Sequence, residues 1–235
     1  MKVAPIRTRV FKESEDLVQF IVAHIPTLGE GSVLAVTSKI VALSEGRTAI
    51  IESDEERGQL IRAESELAIP TKYVWLTVKD GMVMASAGID ESNANGKLIL
   101  LPKDSFKTAR FLRNKLRQRY SVRHLGVLIT DSRTMPLRAG VTGVAVGYAG
   151  FRGIKDYRGT PDIFGRKFKF SRTNIADSLA AAAVLVMGEG NERQPLAIIK
   201  KAPVEFCNKV KRAELSINIQ EDMYRPLFLK LPKLK

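Results

Sequence analysis

One cysteine, Cys207, and two histidines, His24 and His124, are all that the 235-residue chain offers of its classes. A single thiol excludes an internal disulfide, and so few soft ligands leave no basis for a zinc site of the Cys/His kind. Any metal is therefore expected to be held by oxygen. Long apolar runs are also missing: the longest, Leu179 to Met187, has nine residues, against the roughly 20 needed to cross a bilayer. Met1 to Phe11 alternates charged with single apolar residues and has no signal-peptide core. A cytoplasmic protein without a membrane span is expected. The phosphate loop G-x-x-x-x-G-K-[ST] is absent, and no G-x-G-x-x-G follows a strand-like segment, which argues against the familiar nucleotide folds. Both histidines and Cys207, in Phe206-Cys207-Asn208, lack the context of a nucleophile or its base and read as structural or exposed. No repeat, low-complexity tract or Gly/Ser linker divides the chain. It is read as one domain, residues 1–235, ending in a basic, extended tail, residues 225–235.

The charge is one-sided. With 38 Lys and Arg against 25 Asp and Glu, the formal net charge is +13, so anionic partners are attracted over distance, whether nucleic acid, nucleotide or acidic cofactor. Part of the excess lies on Asp104 to Tyr120, where Asp104 is placed to cap a helix and Phe106, Ala109, Leu112 and Leu116 follow helical spacing. Lys107, Arg110, Arg113, Arg117 and Arg119 would form its outer face. A solvated cationic surface is preferred there to a nucleic-acid contact.

Periodicity predicts strands at Lys2 to Val10, Ser32 to Thr37, Tyr73 to Val78, Met82 to Ala85, Lys97 to Leu101 and Gly126 to Thr130, the third to fifth forming a meander. Helices are predicted at Ser14 to His24 with Ser14 as cap, at Asp54 to Ser65 on the surface, and at Asn174 to Met187 capped by Thr173 or Asn174. Ser38 to Leu43 continues from its strand as another apolar element. Gly140 to Gly150, GVTGVAVGYAG, reads as a strand whose glycines permit close backbone approach. Clustered strands rather than strict strand-helix alternation point to an α+β fold.

Three short acidic segments stand out: Ala87 to Asn93 (AGIDESN), Leu128 to Ser132 (LITDS) and Met187 to Asn191 (MGEGN). Each is read as a turn that places a carboxylate, Asp90, Asp131 or Glu189, after an apolar run. Limited solvation there demands a counter-charge. A hard cation supplies it, because Mg²⁺ and Mn²⁺ take oxygen ligands and leave positions for substrate phosphates. Ser132 adds a hydroxyl beside Asp131, Asn93 can orient a phosphate or ribose, and the glycines around Glu189 let the backbone approach a ligand. Taken singly, each segment reads as a cap or surface turn. A site built from all three requires the chain to fold as one unit.

Together with Val36 to Arg47 (VTSKIVALSEGR), Leu100-Leu101-Pro102, Asp156-Tyr157-Arg158-Gly159 with Asp162 and Phe164-Gly165-Arg166, and IADSLAAAAVLVMGEG, these segments occur in the order found in the coenzyme F420-0:L-glutamate ligase family, which the chain resembles from about residue 33 to 200. The resemblance implies a mixed α/β fold, an intertwined homodimer, and a GTP-dependent ligase that extends the acidic tail of a deazaflavin cofactor with γ-linked L-glutamate through an acyl phosphate. By resemblance, Asp90 and Asp131 would bind one Mg²⁺ or Mn²⁺, and Ser132 and Glu189 a second. Ser38, Lys39, Asn93 and the segment from Met187 through Gly188, Gly190 and Asn191 to Gln194 would bind nucleotide. Asp90, Asp131 and Glu189 then form the catalytic group. Arg138, Arg158 and Arg166 are candidates for anionic substrate groups, since a guanidinium clamps carboxylates and phosphates in two-pronged fashion.

The sequence departs from the family pattern around the substrates. Leu43 stands where many members carry a nucleotide-contacting lysine. Pro5 to Arg9 replaces a glycine-leucine-proline contact, and Arg133-Thr134 replaces an aromatic-glycine pair after Ser132. A flavin-reductase-like domain of the kind some relatives append is not expected. The alternatives are a folate γ-glutamyl ligase, a cofactor-binding relative without turnover, and a basic nucleic-acid-binding module.

Overall fold

Runs rich in Val, Ile, Leu and Ala form the central strands of a five-stranded sheet, because those residues suit a pleated surface covered on both faces. In the computed structural model, which describes residues 1–228, the elements in chain order are β1 (Lys2–Ile6), α1 (Leu17–His24), β2 (Ser32–Thr37), α2 (Ser38–Ser44), β3 (Thr48–Ala49), α3 (Asp54–Ala63), β4 (Leu67–Pro70), β5 (Trp75–Lys79), β6 (Met82–Ala85), β7 (Leu98–Ile99), α4 (Ser105–Tyr120), β8 (Leu125–Thr134), β9 (Val141–Ala149), β10 (Ile154–Asp156), β11 (Arg172–Asn174), α5 (Ile175–Met187), β12 (Leu196–Lys200) and α6 (Arg225–Phe228). The fold is α+β, as expected. Of the tail, residues 225–228 form a helical turn instead of an extended segment, and the rest lies outside the described residues.

The large sheet has the order β1-β12-β2-β8-β9. Every pair is antiparallel except β2 and β8, which run parallel from Ser32 beside Leu125 to Thr37 beside Thr130. One face packs Leu34, Val36, Val127 and Ile129 under α1, α2 and α4. The other packs Val33, Ala35 and Leu128 under α5. The two-residue alternation along β2 thus feeds both cores. Two smaller sheets, β4-β5-β6 and β3-β7, carry the chain from α2 to α4, and β10 pairs with β11 in a hairpin.

Several expectations are corrected. Asp16, not Ser14, caps α1, its carboxylate accepting from Gln19 N at 2.9 Å, because Ser14 occupies a left-handed turn at φ 62°. β1 ends at Ile6, and Arg7 to Phe11 leave the sheet. Ser38 to Ser44 is helical. Lys97 to Leu101 contributes only the two residues of β7, paired with β3, so the meander's third strand is β4. α3 is less superficial than its polar sequence suggested, since Ile61 is fully buried against Ala87 and Leu98. Asp104 caps α4 as expected, accepting from Lys107 N at 3.0 Å. Arg113, however, belongs to the interior and not to the cationic face. Asn174 caps α5, accepting from Asp177 N at 3.0 Å.

The glycines of β9 serve close approach, as their spacing suggested. A Cβ on Gly147 would lie 2.5 Å from the Ser105 carbonyl carbon at the start of α4, and one on Gly143 would strike the Ala180 carbonyl of α5. Backbone cannot yield as a flexible side chain would. Gly147→Ala is expected to lower stability by about 1–3 kcal/mol in urea unfolding. Gly29→Ala, where the nearest atom to a Cβ is 4.0 Å away, should change it by less than about 0.5 kcal/mol.

Candidate active site

The parallel pair β2 and β8 ends at one edge of the sheet, and ligands of open α/β sheets gather outside such carboxyl ends. β2 passes directly into α2 at Ser38. β8 does not stop at Thr130; it continues as an arm paired with β9, with Asp131 opposite Val144 and Ser132 opposite Gly143. The second acidic segment is therefore a strand and not a turn. A register shift at Ile129/Thr130 interrupts the ladder there, and Ala145 N donates to Asp177 of α5 at 2.9 Å. The connection from α5 to β12 returns over the same edge, where Thr37 N donates to Pro195 O at 3.0 Å.

Asp90 arrives from another direction. Ser86, Ala87 and Gly88 all have positive φ, at 46°, 57° and 70°, an arrangement costly for non-glycine residues unless the surroundings impose it. The buried Thr77 hydroxyl does so, accepting from Ala87 N at 2.8 Å and donating to Met84 O at 2.7 Å. Past this tight turn, Asp90 exchanges backbone hydrogen bonds with Ile99 at 2.9 and 2.8 Å.

These segments enclose a cleft of about 750 Å³. Its lining includes every residue singled out for metal or nucleotide: Ser38, Lys39, Asp90, Asn93, Asp131, Ser132, Met187, Gly188, Glu189, Gly190, Asn191 and Gln194. Lys39 lies 2.7 Å from Asp90 Oδ2 and also donates to Ser92 O and Oγ at 2.8 and 2.9 Å. Ser38 donates to Asp131 Oδ1 at 3.2 Å, and Ser132 to Glu189 Oε2 at 3.2 Å. Asn93 Nδ2 donates to Gly190 O at 3.3 Å, tying two of the acidic segments together. Arg7, Arg9 and Leu43, from two of the three departures from the family pattern, also line the cleft. Arg138, Arg158 and Arg166 do not; Arg158 is turned to Asp156, 2.5 Å away.

The two aspartates differ electrostatically. Burial works to raise Asp90, but the bonds from Lys39 and Ser92 outweigh it and hold the carboxyl below its usual range. Asp131 keeps some surface open to the cleft, yet protein walls it closely enough that desolvation pushes it up to about 7, with Asp90 and Glu189 adding repulsion and only Ser132 and Ser38 opposing. Among the described residues, no positive side chain neutralises Asp131. Among the described residues, no three His, Cys, Asp or Glu side chains are grouped to hold a metal alone. Oxygen sets with one or two carboxylates are nonetheless what Mg²⁺ uses when phosphates and water complete its shell. The donor set fits such a cation.

Two residues inside the singled-out segments have roles that the sequence reading did not assign. Thr130 is buried in the lining, and its hydroxyl has no hydrogen-bond partner among the described residues. In an apolar run it looked like a strand former, and only its place before Asp131 hinted otherwise. Glu192 accepts from Gly190 N at 2.8 Å and packs so tightly on Gly188 that a Cβ there would lie 2.5 Å from the carboxylate carbon. It shapes the loop that carries Glu189.

The sequence profile described as F420-0:Gamma-glutamyl ligase matches residues 5–201. The chain belongs to this family. The match extends the resemblance toward the N-terminus, taking in the last two residues of β1 and the cleft-lining Arg7 to Phe11. Among its relatives, a coenzyme F420:L-glutamate ligase of Methanopyrus kandleri is 38% identical over 217 residues, 83% of this chain and 84% of the relative. One from Methanocaldococcus jannaschii is 30% identical over 244 residues, 96% of this chain and 97% of the relative. One from Archaeoglobus fulgidus is 32% identical over 234 residues, covering 92% of each. No helix among the described residues of this family member is long and apolar enough to cross a membrane.

Asp131→Asn removes a desolvated charge that faces two other acids while keeping its shape. The metal-free variant is expected to melt at or above the wild-type temperature at neutral pH, and an upward shift with Mn²⁺ is expected for wild type but not for the variant. Differential scanning fluorimetry with and without Mn²⁺ checks both halves.

Proposed function

We propose that the protein joins L-glutamate, in γ-linkage, to the acidic tail of coenzyme F420 or a comparable acidic cofactor, using GTP and a divalent cation. The observation that carries this reading is the convergence of Asp90, Asp131 and Glu189, from three distant segments, in one cleft with hydroxyl and amide donors. Membership of the ligase family supports the glutamate transfer.

In this reading Asp90 and Asp131 hold one cation, and Ser132 and Glu189 a second. Divalent cations, when bound, would neutralise charge on the phosphate oxygens and align the reacting carboxylate. Lys39 and Ser38, at the start of α2, would hold nucleotide phosphates, since Leu43 one turn later has no charge to offer. Asn93, Asn191 and Gln194 would orient the rest of the nucleotide, and Gly188 and Gly190 let the backbone approach it. The Gln194 side-chain oxygen has no partner among the described residues and is available to accept from a ligand. The γ-phosphate passes to an oxygen of the acceptor carboxylate and GDP leaves. The glutamate amine then attacks the acyl carbon, forming the amide and releasing phosphate and a proton.

Incubation with labelled glutamate, GTP, Mn²⁺ and the deazaflavin acceptor should give a γ-glutamyl product that disappears with chelator. Asp131→Ala is expected to reduce its rate by about 10²-fold or more. Absence of product from wild type, or an undiminished rate in the variant, contradicts the proposal.

The reading includes a homodimer. The segment joining β10 to β11 exposes Ile163, Phe164 and Phe170 at 92%, 88% and 85%, and such exposed apolar side chains suit a second copy of the chain. Light scattering should report twice the protomer mass for wild type and a shift toward the protomer mass for Phe164→Asp.

A further inference from the structure

The half of β8 remote from Asp131 begins at Leu125, and beside it lies a second cavity of about 180 Å³. Arg113, Arg117, Arg123, His124, Cys207 and Asn208 line it, and among the described residues no carboxylate does. Arg113 is only 4% exposed. Its guanidinium donates to Leu125 O at 2.8 Å and to Asn208 Oδ1 at 3.0 Å, both neutral acceptors. Burying an ionised group without an opposite charge is costly, and the Arg117 charge adds repulsion to desolvation. The fold nonetheless makes room for it. Gly150, at φ 95°, allows the guanidinium to lie against the backbone, since a Cβ there would come within 2.5 Å of Arg113 Nε.

The other cations are also uncompensated. Arg117 makes one long bond, Nε to Val122 O at 3.4 Å, and neither it nor Arg123 forms an ion pair among the described residues. The nearby acids already have partners, Glu30 at the rim of the cavity itself. Glu30 accepts from the backbone N–H groups of Arg123 and His124, each at 2.7 Å, and lies 2.7 Å from His124 Nδ1. Glu214 accepts from Tyr148 and Gly153, and Glu205 lies 3.6 Å from Arg152. The walls are formed in advance: Phe206 bridges to Phe151 by backbone pairing and its ring centroid lies 5.6 Å from that of His124.

We propose that this cavity binds a tetrahedral oxyanion, either free phosphate or the phosphate group of a monoester. Converging guanidinium groups offer paired donors to phosphate oxygens, and the anion supplies the charge that the protein withholds. The site is separate from the cleft and does not depend on the ligase reading.

Calorimetric titration with inorganic phosphate and with phenyl phosphate tests it in wild type, Arg123→Ala and Lys39→Ala, with circular dichroism as the check on folding. One of the two anions should bind wild type, bind Lys39→Ala equally, and bind Arg123→Ala about tenfold or more weakly. The tighter of the two identifies the source. Tungstate soaked into crystals should give an anomalous peak between Arg113 and Arg123. Absence of binding, equal binding by Arg123→Ala, or tungstate only in the cleft overturns the proposal.

Discussion

Asp90, Asp131 and Glu189 crowd negative charge at one sheet edge of a protein whose net charge is strongly positive. Lys39 neutralises Asp90, while among the described residues Asp131 has only hydroxyl and amide donors. Much of the surrounding architecture maintains this imbalance. The extension of β8 beyond its parallel partner carries Asp131 and Ser132 into the cleft, and the left-handed turn held by Thr77 sets the path to Asp90. Glu192 shapes the Gly188 to Gly190 loop. A preorganised excess of one charge favours the counter-charged ligand over water, because no further rearrangement is needed when that ligand arrives.

The same sheet explains why the site is formed from remote parts of the chain. β2 and β8 are parallel, so their carboxyl ends coincide although about 90 residues separate them. β12, antiparallel to β2, starts where β2 ends, which brings the connection from α5 to that edge. The close seating of β9 under α4 and α5, permitted by Gly143 and Gly147, holds the arm carrying Asp131 in register. Core packing and site geometry are thus one problem, since a shift of β9 by one residue would reverse the faces of the ladder.

Much of this was legible in the residues. Apolar runs marked β2, β8 and α5, and the caps of α4 and α5 stood at Asp104 and Asn174. The acidic segments identified themselves by short polar groups following apolar stretches, and their order matched a family. Other features were hidden for physical reasons. A strand long enough to protrude looks like a strand followed by a turn, so Asp131 was placed beyond β8. Polar helices conceal single anchors, as Ile61 shows. Helical spacing put Arg113 with its charged neighbours, although only the burial of a guanidinium against Leu125 O removes it from the surface. Thr130 was overlooked because threonine is an ordinary strand residue until its hydroxyl lacks a partner.

From local chemistry alone came the element types, the α+β class and the acidic and hydroxyl residues that prove to line one cleft, because periodicity, capping and side-chain polarity act over a few neighbours. Which donors share one cleft, which carboxylate is neutralised and which is left without a cation, and where the arginines of α4 point, depended on long-range pairing. Distance and desolvation set those properties, and both arise only when β2, β8, β12 and the turn before Asp90 have been brought together.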